Sequence, residues 1–258
     1  MIRLGVIGAT GRTGRCVVEM AMHDDRFELV AALTKPGCQT IGSTLRVGDR
    51  SIVVAERLGV EVDVLIDFAV AAGTMAWLEV CHKRGIPMVT GATGHDEQQL
   101  ARIEEVARSI PVLKASNFSL GIQALLGIVG PLAKALGESY DIELVESHHK
   151  RKVDAPSGTA LTLVEEIARA TGRSKDEDVV FGRHGHTGER PPGQVGVHAV
   201  RMGDGIGWHE VHFAGPGETV TVRHNVHSRD TFAAGALKAA AWIVGKPPGL
   251  YTMRDVLR

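Results

Sequence analysis

Hydrophobic and polar positions alternate in a regular way along the first half of the chain. Short apolar runs of the kind that form buried strands occupy residues 3–7, 27–33, 62–68, 87–90 and 111–115. Between these runs, apolar residues recur at helical spacing over 14–22, around 75–80 and over 97–107. Because strands that alternate with helices build parallel βαβ units, this half predicts an α/β fold with a Rossmann-like, doubly wound parallel sheet.

The rhythm changes after residue 117. Two helices and an intervening strand are predicted at 120–136, 160–170 and 140–145. Three alternating stretches, separated by glycine-containing turns at 203–205 and 215–217, follow at 195–202, 208–213 and 219–226. We expect these stretches to form an antiparallel or mixed sheet that is open on one face. Between them and the preceding helix, the Gly- and Pro-rich residues 182–193 predict an exposed loop.

The last amphipathic stretch, residues 230–244, predicts a helix that could return to the first domain. The second region is therefore expected to be an α+β domain inserted into the first. On this interpretation the first domain comprises residues 1–118 plus 229–258, and the inserted domain comprises residues 119–228.

Composition and charge exclude several classes of protein. The chain has 258 residues, of which 44% are hydrophobic and 23% charged, as in an ordinary soluble globular protein. A formal net charge of −1 argues against general attraction to nucleic acid or to a membrane surface. No apolar run approaches the roughly 20 residues that a membrane span needs, and the chain begins with a strand rather than a signal peptide. Cys16, Cys38 and Cys81 are scattered singly and form neither a metal-binding spacing nor a disulfide framework. Since free cysteines are typical of a reducing compartment, we expect a cytoplasmic protein.

A glycine-rich turn joins the first predicted strand to the first helix. It has G-x-x-G-x-x-G spacing rather than the commoner G-x-G-x-x-G, and it consists of Gly8, Ala9, Thr10, Gly11, Arg12, Thr13 and Gly14. Glycine lets the backbone approach a pyrophosphate closely, and the start of a helix adds partial positive charge. The turn therefore predicts a dinucleotide cofactor, and an ordinary βα turn without a ligand is the alternative.

The end of the second predicted strand bears on which cofactor binds. A Rossmann site that prefers NAD usually has an acidic residue there, which holds the ribose hydroxyls. This chain has Thr34 and Lys35 instead, and Arg12 of the glycine turn could lie near the same position. Because a 2′-phosphate would meet these cations, we expect NADPH to be accepted at least as well as NADH. The alternative is that Lys35 is a solvated loop residue.

Two more turns fall where the carboxyl ends of parallel strands form a ligand crevice. The turn after the fourth predicted strand consists of Gly91, Ala92, Thr93 and Gly94. The turn after the fifth consists of Ala115, Ser116, Asn117 and Phe118. We expect both turns to contact the cofactor, and ordinary βα turns are again the alternative.

The densest chemistry of the chain lies in residues 146–160, where His148 and His149 precede three cations and an Asp-Ala-Pro-Ser-Gly-Thr turn. Histidine suits proton transfer because its unperturbed pKa of about 6.5 is near neutrality. Adjacent side chains of an extended strand face opposite ways, so one imidazole could be the acid–base group while the other contacts substrate.

The turn at 154–159 has the features of an anion site. Ser157 is a natural N-cap for the following helix, and Gly158 would let a carboxylate reach the backbone amides of Gly158 and Thr159. Lys152 is the cation nearest to this turn. The segment therefore suits a small, multiply negative substrate that must be protonated. A solvated basic cluster before an ordinary capped helix is the alternative.

Residues 146–160 resemble the signature of the bacterial 4-hydroxy-tetrahydrodipicolinate reductases, also called dihydrodipicolinate reductases, which act in lysine and diaminopimelate synthesis. The resemblance extends over essentially the whole chain, including residues 8–14, 66–68, 91–94, 115–119, 185–190 and 228–229. It implies reduction of a cyclic dicarboxylate, by hydride transfer to ring C4 with loss of water. It also implies NADPH or NADH as cofactor and a homotetramer built through the C-terminal sheet.

The resemblance also implies roles for particular residues. It makes His148 the acid–base catalyst and Lys152 a proton donor and substrate contact. Substrate would bind to His149 and to the helix start at Ser157, Gly158 and Thr159. Residues 8–13, 91–93 and 115–118 would hold the cofactor, so 1–118 plus 229–258 is the dinucleotide-binding domain and 119–228 the substrate-binding and oligomerisation domain. The chain departs from the family at Thr34, where many members carry an acidic residue.

Three other functions are compatible with parts of the sequence. Another nicotinamide reductase, such as an amino-acid or semialdehyde dehydrogenase, would share the architecture. A non-catalytic protein that senses NADPH would share the glycine turn. Nine of the twelve histidines lie between His148 and His227, which could suit a metal hydrolase. Since no H-E-x-x-H or comparable ligand set occurs, no metal site is predicted.

Overall fold

The computed structural model describes residues 1–257, which form two compact units. The first unit combines residues 1–119 with the segment that begins at Arg229, and the second comprises Leu120–Ser228. The second unit is thus inserted into the first along the chain. The functional roles assigned above to the two domains stay predictions.

An eight-stranded sheet forms the centre of the first unit. Its strands are β1 (Ile2–Ile7), β2 (Phe27–Leu33), β3 (Thr44–Val47), β4 (Arg50–Ala55), β5 (Val64–Asp67), β6 (Met88–Thr90), β7 (Pro111–Lys114) and β13 (Gly249–Tyr251). Its helices are α1 (Arg12–Ala21), α2 (Ala71–Arg84), α3 (Glu97–Ala107), α6 (Asp230–Ile243) and α7 (Met253–Leu257). The strand order is β13-β7-β6-β5-β1-β2-β4-β3, and neighbours are parallel except in the β3–β4 hairpin. The predicted doubly wound parallel sheet is confirmed.

Helices cover both faces of this sheet, which explains why its strands read as short continuous apolar runs. On one face, Val6 packs in a cluster with Val17 of α1 and Ala236 of α6. On the other face, Ile7 packs in a second cluster with Leu78 of α2. Successive residues of one strand therefore serve opposite faces.

The strand order reverses at β1, which lies between β2 and β5. In open parallel sheets, such a switch point leaves a crevice outside the carboxyl ends of the strands. The segments that follow β1, β5, β6 and β7 all begin at this edge. The sheet therefore places the predicted cofactor residues of these segments along one edge.

A five-stranded mixed sheet forms the second unit, with two helices on one face. Its elements are α4 (Leu120–Leu136), β8 (Asp141–His148), α5 (Gly158–Thr171), β9 (Val179–Phe181), β10 (Val195–Arg201), β11 (Gly207–Gly215) and β12 (Glu218–Val226). Ile142 and Leu144 of β8 pack with Leu126 of α4 and Leu163 of α5 in one core. The opposite side of the sheet, which we call the open face, carries polar side chains such as Glu143.

Of the two arrangements expected for this sheet, antiparallel or mixed, the structure has the mixed one, because β10 does not pair antiparallel. The strand order is β12-β11-β8-β10-β9, and β10 runs parallel to β8. Residues 203–205 are therefore not a hairpin turn; they belong to a segment that crosses the end of β8. The physical reason is that a long crossover, which contains α5, β9 and the 182–193 loop, separates β8 from β10, and such a connection allows the two strands to run parallel. Of the three stretches, β11 and β12 do form a hairpin.

Several short elements are not predicted by the sequence, namely β3, β4, β9, β13 and α7. Each has between three and six residues, too few for a periodic pattern to emerge. Residues 182–193 contain no helix or strand, and the loop is tied down by Arg183 and Arg190, which contact Glu143 at 2.8 and 3.1 Å. Within residues 1–257, no helix has the length and apolar character that a bilayer crossing requires.

Candidate active site

The end of β8 brings a histidine and a carboxylate into contact. Glu146 and His148 share the side of β8 that faces the helices, since they continue the alternation of Ile142 and Leu144. Glu146 is completely buried, and its Oε2 lies 2.6 Å from Nδ1 of His148. Arg201, at the end of β10, meets the same carboxylate through both terminal nitrogens at 2.7 and 2.8 Å. One buried carboxylate thus holds an imidazole and a guanidinium.

The ionisation of Glu146 follows from these contacts. Burial alone would raise the pKa of the carboxyl group, because low-dielectric surroundings disfavour charge. Hydrogen bonds from His148 and Arg201 outweigh burial and lower the pKa of Glu146 to about 2. The carboxylate is therefore ionised at neutral pH, where it can only accept hydrogen bonds.

A second imidazole, His209 of β11, packs against His148. The ring centroids are 5.2 Å apart, with an angle of 74° between the planes. Burial, followed by the charge of His148, lowers the pKa of His209 to about 3, so His209 is neutral near pH 7. Its Nε2 lies 2.8 Å from Oγ of Ser157. His209 therefore joins β11 to the beginning of α5.

Ser157 caps α5, which confirms the predicted N-cap. Its Oγ accepts a hydrogen bond from the backbone N–H of Ala160 at 3.2 Å, and its own N–H donates to Oε1 of Glu146 at 3.0 Å. The N–H groups of Gly158 and Thr159 belong to the first turn, where a helix binds anions. We call Ser157, Gly158 and Thr159 the α5 start.

His149 and Lys152 lie in the turn between β8 and α5. His149 is buried, and its carbonyl oxygen accepts a hydrogen bond from the N–H of Lys152 at 3.0 Å. The ammonium group of Lys152 contacts both carboxylate oxygens of Asp154 at 2.8 Å. The structure therefore joins His148 to the α5 start through Glu146, and it holds Lys152 through Asp154. The catalytic and substrate-binding roles of these residues stay predictions.

The segment between β10 and β11 passes the end of β8. The N–H of Met202 donates to the carbonyl of His148 at 3.0 Å, and the N–H of Lys150 donates to that of Gly203 at 3.1 Å. Gly207 lies so close to the His148 ring that a Cβ atom there would be 2.5 Å from Nε2. This segment and His148 line a cavity of about 640 Å³. The cavity has room for a small ligand beside the imidazole.

In the first unit, the turn after β1 has the close packing expected of a dinucleotide loop. Gly8 has a φ of +73°, which favours glycine. A Cβ atom on Gly14 would lie 2.1 Å from the carbonyl oxygen of Gly8. Gly11 is the N-cap of α1 and makes no side-chain hydrogen bond to it, unlike Asp96 of α3 or Ser157 of α5. Glycines at these positions and an uncapped helix start fit a pyrophosphate group.

The turn after β6 is organised by a buried acid. Asp67, at the end of β5, accepts hydrogen bonds from Oγ1 of Thr74 at 2.6 Å and of Thr90 at 2.8 Å. The Thr90 hydroxyl oxygen in turn accepts the N–H of Ala92 at 3.2 Å. Burial raises the pKa of Asp67. This network fixes the beginning of the predicted cofactor segment 91–93.

Aromatic rings connect the ends of β5, β6 and β7. A Cβ atom on Gly91 would come within 2.4 Å of the ring of Phe68, so only glycine allows this approach. The rings of Phe68 and Phe118 meet edge to face, with centroids 5.7 Å apart. Asn117 Oδ1 accepts the N–H of Ser119 at 2.8 Å, which shapes the turn after β7. The cofactor contacts of both turns stay predictions.

The end of β2 is followed by Thr34 and Lys35, neither of which carries a carboxylate. Thr34 is buried and its N–H donates to the carbonyl of Ala55 at 2.9 Å, whereas Lys35 is exposed. Cys38 follows in the same loop, with Sγ 3.2 Å from Oγ1 of Thr40. Hydrogen bonds from Thr40 and Thr34 lower the pKa of Cys38 to about 7.

Sequence reasoning missed Arg201 and His209 and gave Glu146 no role. Arg201 and Glu146 are 55 residues apart, and His209 and Ser157 are 52 residues apart, so neither contact has a local signal. A charged residue in step with Ile142 and Leu144, at a core-facing position of β8, could have identified Glu146, because buried charges are rare unless paired. Among the described residues, no three His, Cys, Asp or Glu side chains are grouped as a metal ion would require.

Comparison with known proteins matches both halves of the chain. The family model described as dihydrodipicolinate reductase, N-terminus, matches residues 2–118, and the corresponding C-terminus model matches residues 121–257. A 4-hydroxy-tetrahydrodipicolinate reductase from Thiobacillus denitrificans is 43% identical over 262 residues, covering 99% of this chain and 98% of the relative. One from Psychrobacter arcticus is 41% identical over 264 residues, covering 100% and 95%.

A solved structure supports the same relationship at the level of fold. The dipicolinate-bound dihydrodipicolinate reductase from Paenisporosarcina sp. TG-14 superposes with a TM-score of 0.70. The match covers 98% of this chain and 97% of the other at 23% sequence identity, which shows a shared fold. With both family models matched in order, this chain belongs to the dihydrodipicolinate reductase family.

Proposed function

We propose that this chain reduces 4-hydroxy-tetrahydrodipicolinate to tetrahydrodipicolinate with NADPH or NADH, as a step of lysine and diaminopimelate biosynthesis. Family membership supports the reaction class, and full-length relatives more than 40% identical have this reductase name. One observation carries most of the argument: Glu146 joins the imidazole of His148 to the α5 start. This junction supplies a proton-transfer group beside backbone amides that can hold a carboxylate.

His148 and Lys152 are the proposed proton donors. When bound, the reduced nicotinamide supplies a hydride to the substrate ring, at C4 in our proposal. Loss of water leaves C4 conjugated with the ring C=N bond, so hydride addition at C4 moves electron density toward the ring nitrogen, which then needs a proton. His148 can provide that proton because it lines the cavity at the end of β8. Lys152 is a second donor within the same segment.

Two groups are available to anchor the two substrate carboxylates. The N–H groups of Gly158 and Thr159 at the α5 start offer one anchor, with the helix dipole adding to the attraction. The ammonium group of Lys152 offers the other. It has three N–H donors, so it can contact a substrate carboxylate in addition to Asp154. His149 is proposed as a further substrate contact.

The cofactor is proposed to bind along the carboxyl edge of the first unit's sheet, at residues 8–13, 34–35, 91–93 and 115–118. The glycine packing around Gly8 and the uncapped start of α1 support the pyrophosphate position. Exposed Lys35, next to the uncharged Thr34, supports acceptance of a 2′-phosphate. We therefore propose that NADPH is used at least as well as NADH.

The open face of the second unit supports a proposal about assembly. It carries Trp208, His212 and Arg223 on β11 and β12, with the guanidinium of Arg223 4.8 Å from the Trp208 ring centroid. Aromatic and arginine side chains are enriched in protein interfaces. We propose a homotetramer formed through this sheet, and sedimentation of a single monomeric species would contradict it. The three unpaired cysteines support a reducing, cytoplasmic location.

The reaction is tested by following NADPH oxidation anaerobically with enzymatically generated 4-hydroxy-tetrahydrodipicolinate. We expect turnover with this substrate and much less with aspartate or aspartate semialdehyde in the presence of either cofactor. Preference for one of the latter substrates would identify a different nicotinamide reductase. Tight cofactor binding without any turnover would favour a sensor and refute the proposed reaction.

A further inference from the structure

Glu146 connects three parts of the candidate site in the second unit, namely His148, Arg201 and the beginning of α5 at Ser157. Its Oε2 accepts hydrogen bonds from Nδ1 of His148 at 2.6 Å and from Arg201 at 2.8 Å. Its Oε1 accepts the second Arg201 nitrogen at 2.7 Å and the N–H of Ser157 at 3.0 Å. All four hydrogen bonds form at a side chain that is fully buried.

We propose that Glu146 is a positioning residue for the reductase reaction, which fixes the tautomer of His148 and the geometry of the α5 start at the same time. The inference rests on the proposed function, because it assumes that His148 donates a proton and that the α5 start binds a substrate carboxylate.

The tautomer follows from the chemistry of the carboxylate. Glu146 is ionised, since its hydrogen bonds lower its pKa to about 2, and an ionised carboxylate has no hydrogen to donate. The hydrogen between Oε2 and Nδ1 must therefore be carried by Nδ1 of His148. Nε2 is left as the nitrogen that gains and loses a proton.

The proton transfer then balances simply. The Nε2–H bond of the imidazolium breaks, its electron pair stays on Nε2, and a new N–H bond forms on the reduced substrate ring. His148 becomes a neutral imidazole that keeps its Nδ1–H bond to Glu146. Water returns a proton to Nε2 before the next turnover.

Arg201 gives the carboxylate a second function. Besides its two contacts with Glu146, it donates from Nη2 to the carbonyl of Asp154 at 2.7 Å. Glu146 and Arg201 together therefore hold the turn on one side and Ser157 on the other. Because their charges cancel, the pair also avoids repelling a substrate that carries two carboxylates.

Several charged or titratable groups surround His148 and His209 and must be considered in any pH dependence. Those on strands are Glu146, Arg201, His209 and His224, and those in the connecting segments are Lys152, Asp154, Asp204 and His227. His209 stays neutral because burial lowers its pKa to about 3. Glu146 is the anion in direct contact with the His148 ring, so removing its charge should have the largest effect.

The test compares Glu146→Gln and Glu146→Asp with wild type. We expect Glu146→Gln to lower kcat by about 10²-fold, as loss of acid–base assistance does. The pH profile of kcat should shift in Glu146→Gln, because the anion in contact with the His148 ring is lost. The KM for substrate should rise as the α5 start loosens, and Glu146→Asp should recover part of kcat.

Glu143→Gln is the matched control. Glu143 lies on the same strand and also binds arginine and histidine side chains, at Arg183, Arg190 and His198, but it faces the open side of the sheet. Its substitution should leave the pH dependence of kcat unchanged. Tm, subunit number and NADPH affinity, measured for every variant, show which proteins are folded.

A second measurement keeps the inference testable if Glu146→Gln does not fold. In wild-type protein labelled with ¹⁵N-histidine, the His148 signal, assigned by its loss in His148→Gln, should show hydrogen on Nδ1. Hydrogen on Nε2 alone at high pH would overturn the inference, as would a folded Glu146→Gln variant with an unshifted pH profile. Absence of turnover by wild type would instead refute the proposed reaction. The NMR result would still report the tautomer of His148, because that measurement does not depend on turnover.

Discussion

Charged side chains around His148 are held by partners of opposite sign. Glu146 is bound by Arg201, and Lys152 is bound by Asp154. The neighbouring His209 is kept neutral by burial. Since the fixed charges largely cancel, specificity for a dianionic ligand must come from directed N–H donors rather than from a strong positive field.

The two proposed proton donors give the most direct prediction for single residues. His148→Gln and Lys152→Ala should each lower kcat by about 10²-fold or more, because each removes a proton donor. Lys150→Ala and His184→Gln, at exposed positions of the same unit, are matched controls with expected turnover close to wild type. Nearly unchanged turnover in both test variants would contradict the assigned roles.

Cofactor choice gives a second prediction at this scale. Lys35→Ala should lower kcat/KM for NADPH by about tenfold and leave that for NADH nearly unchanged, because a charge-assisted contact to the 2′-phosphate is lost. Lys83→Ala, on the exposed surface of α2, controls for loss of one positive charge. An equal loss with the two cofactors would show that Lys35 does not contact the 2′-phosphate.

At the scale of elements, periodicity predicted well where an element is long or fully buried. β1, β2 and the helices α4 and α6 were all indicated, because their apolar residues must repeat to reach a core. The sequence pattern does not predict the β3–β4 hairpin, since its strands are short and partly exposed. The neighbours of β8 could not be read from the sequence, because strand pairing depends on contacts distant along the chain.

The same distinction applies to the candidate site. The cap of α5 at Ser157 is a local feature and was predicted correctly. Apart from His148 of the same strand, Glu146 is bound by Arg201 of β10 and by Ser157 before α5, and only the folded chain identifies these two partners. Motif residues were thus accessible from sequence, whereas the groups that orient them were not.

Packing between the glycine turn and α1 gives a prediction for an element. Gly14→Ala would place Cβ 2.1 Å from the carbonyl oxygen of Gly8, so the turn must shift. We expect a lower Tm and NADPH binding at least tenfold weaker. Gly127→Ala in α4 is the control, because a Cβ there meets open space and alanine favours helix by about 0.5–1 kcal/mol. Unimpaired NADPH binding by a folded Gly14→Ala variant would contradict the proposed cofactor position.

At the scale of the whole molecule, buried ionisable groups predict how stability depends on pH. The pKa of His209 is about 3 in the folded chain and about 6.5 when unfolded, so the unfolded chain binds the extra proton. Stability should therefore be complete above pH 6.5 and fall as pH decreases below it. Glu146, whose pKa is about 2, adds a further loss below about pH 4.5.

Calorimetry at several pH values between about pH 8 and pH 4, a range that spans the ordinary histidine pKa, would measure this dependence of stability on pH. In His209→Gln the fall in Tm between about pH 7 and pH 5 should be smaller than in wild type, because the buried imidazole no longer titrates on unfolding. The amide can still hydrogen-bond to Ser157. An identical fall in the two proteins would assign the pH dependence to other groups.

The alternation of side chains along β8 between the two faces of the sheet has an evolutionary consequence. Glu143 and Glu146 are separated by an odd number of positions, so they lie on opposite sides of the sheet and bind different arginines. Losing or gaining one residue between them would swap inside and outside for everything downstream, His148 included. Substitutions within β8 can therefore be tolerated during evolution, whereas insertions or deletions of single residues between Glu143 and Glu146 are strongly disfavoured.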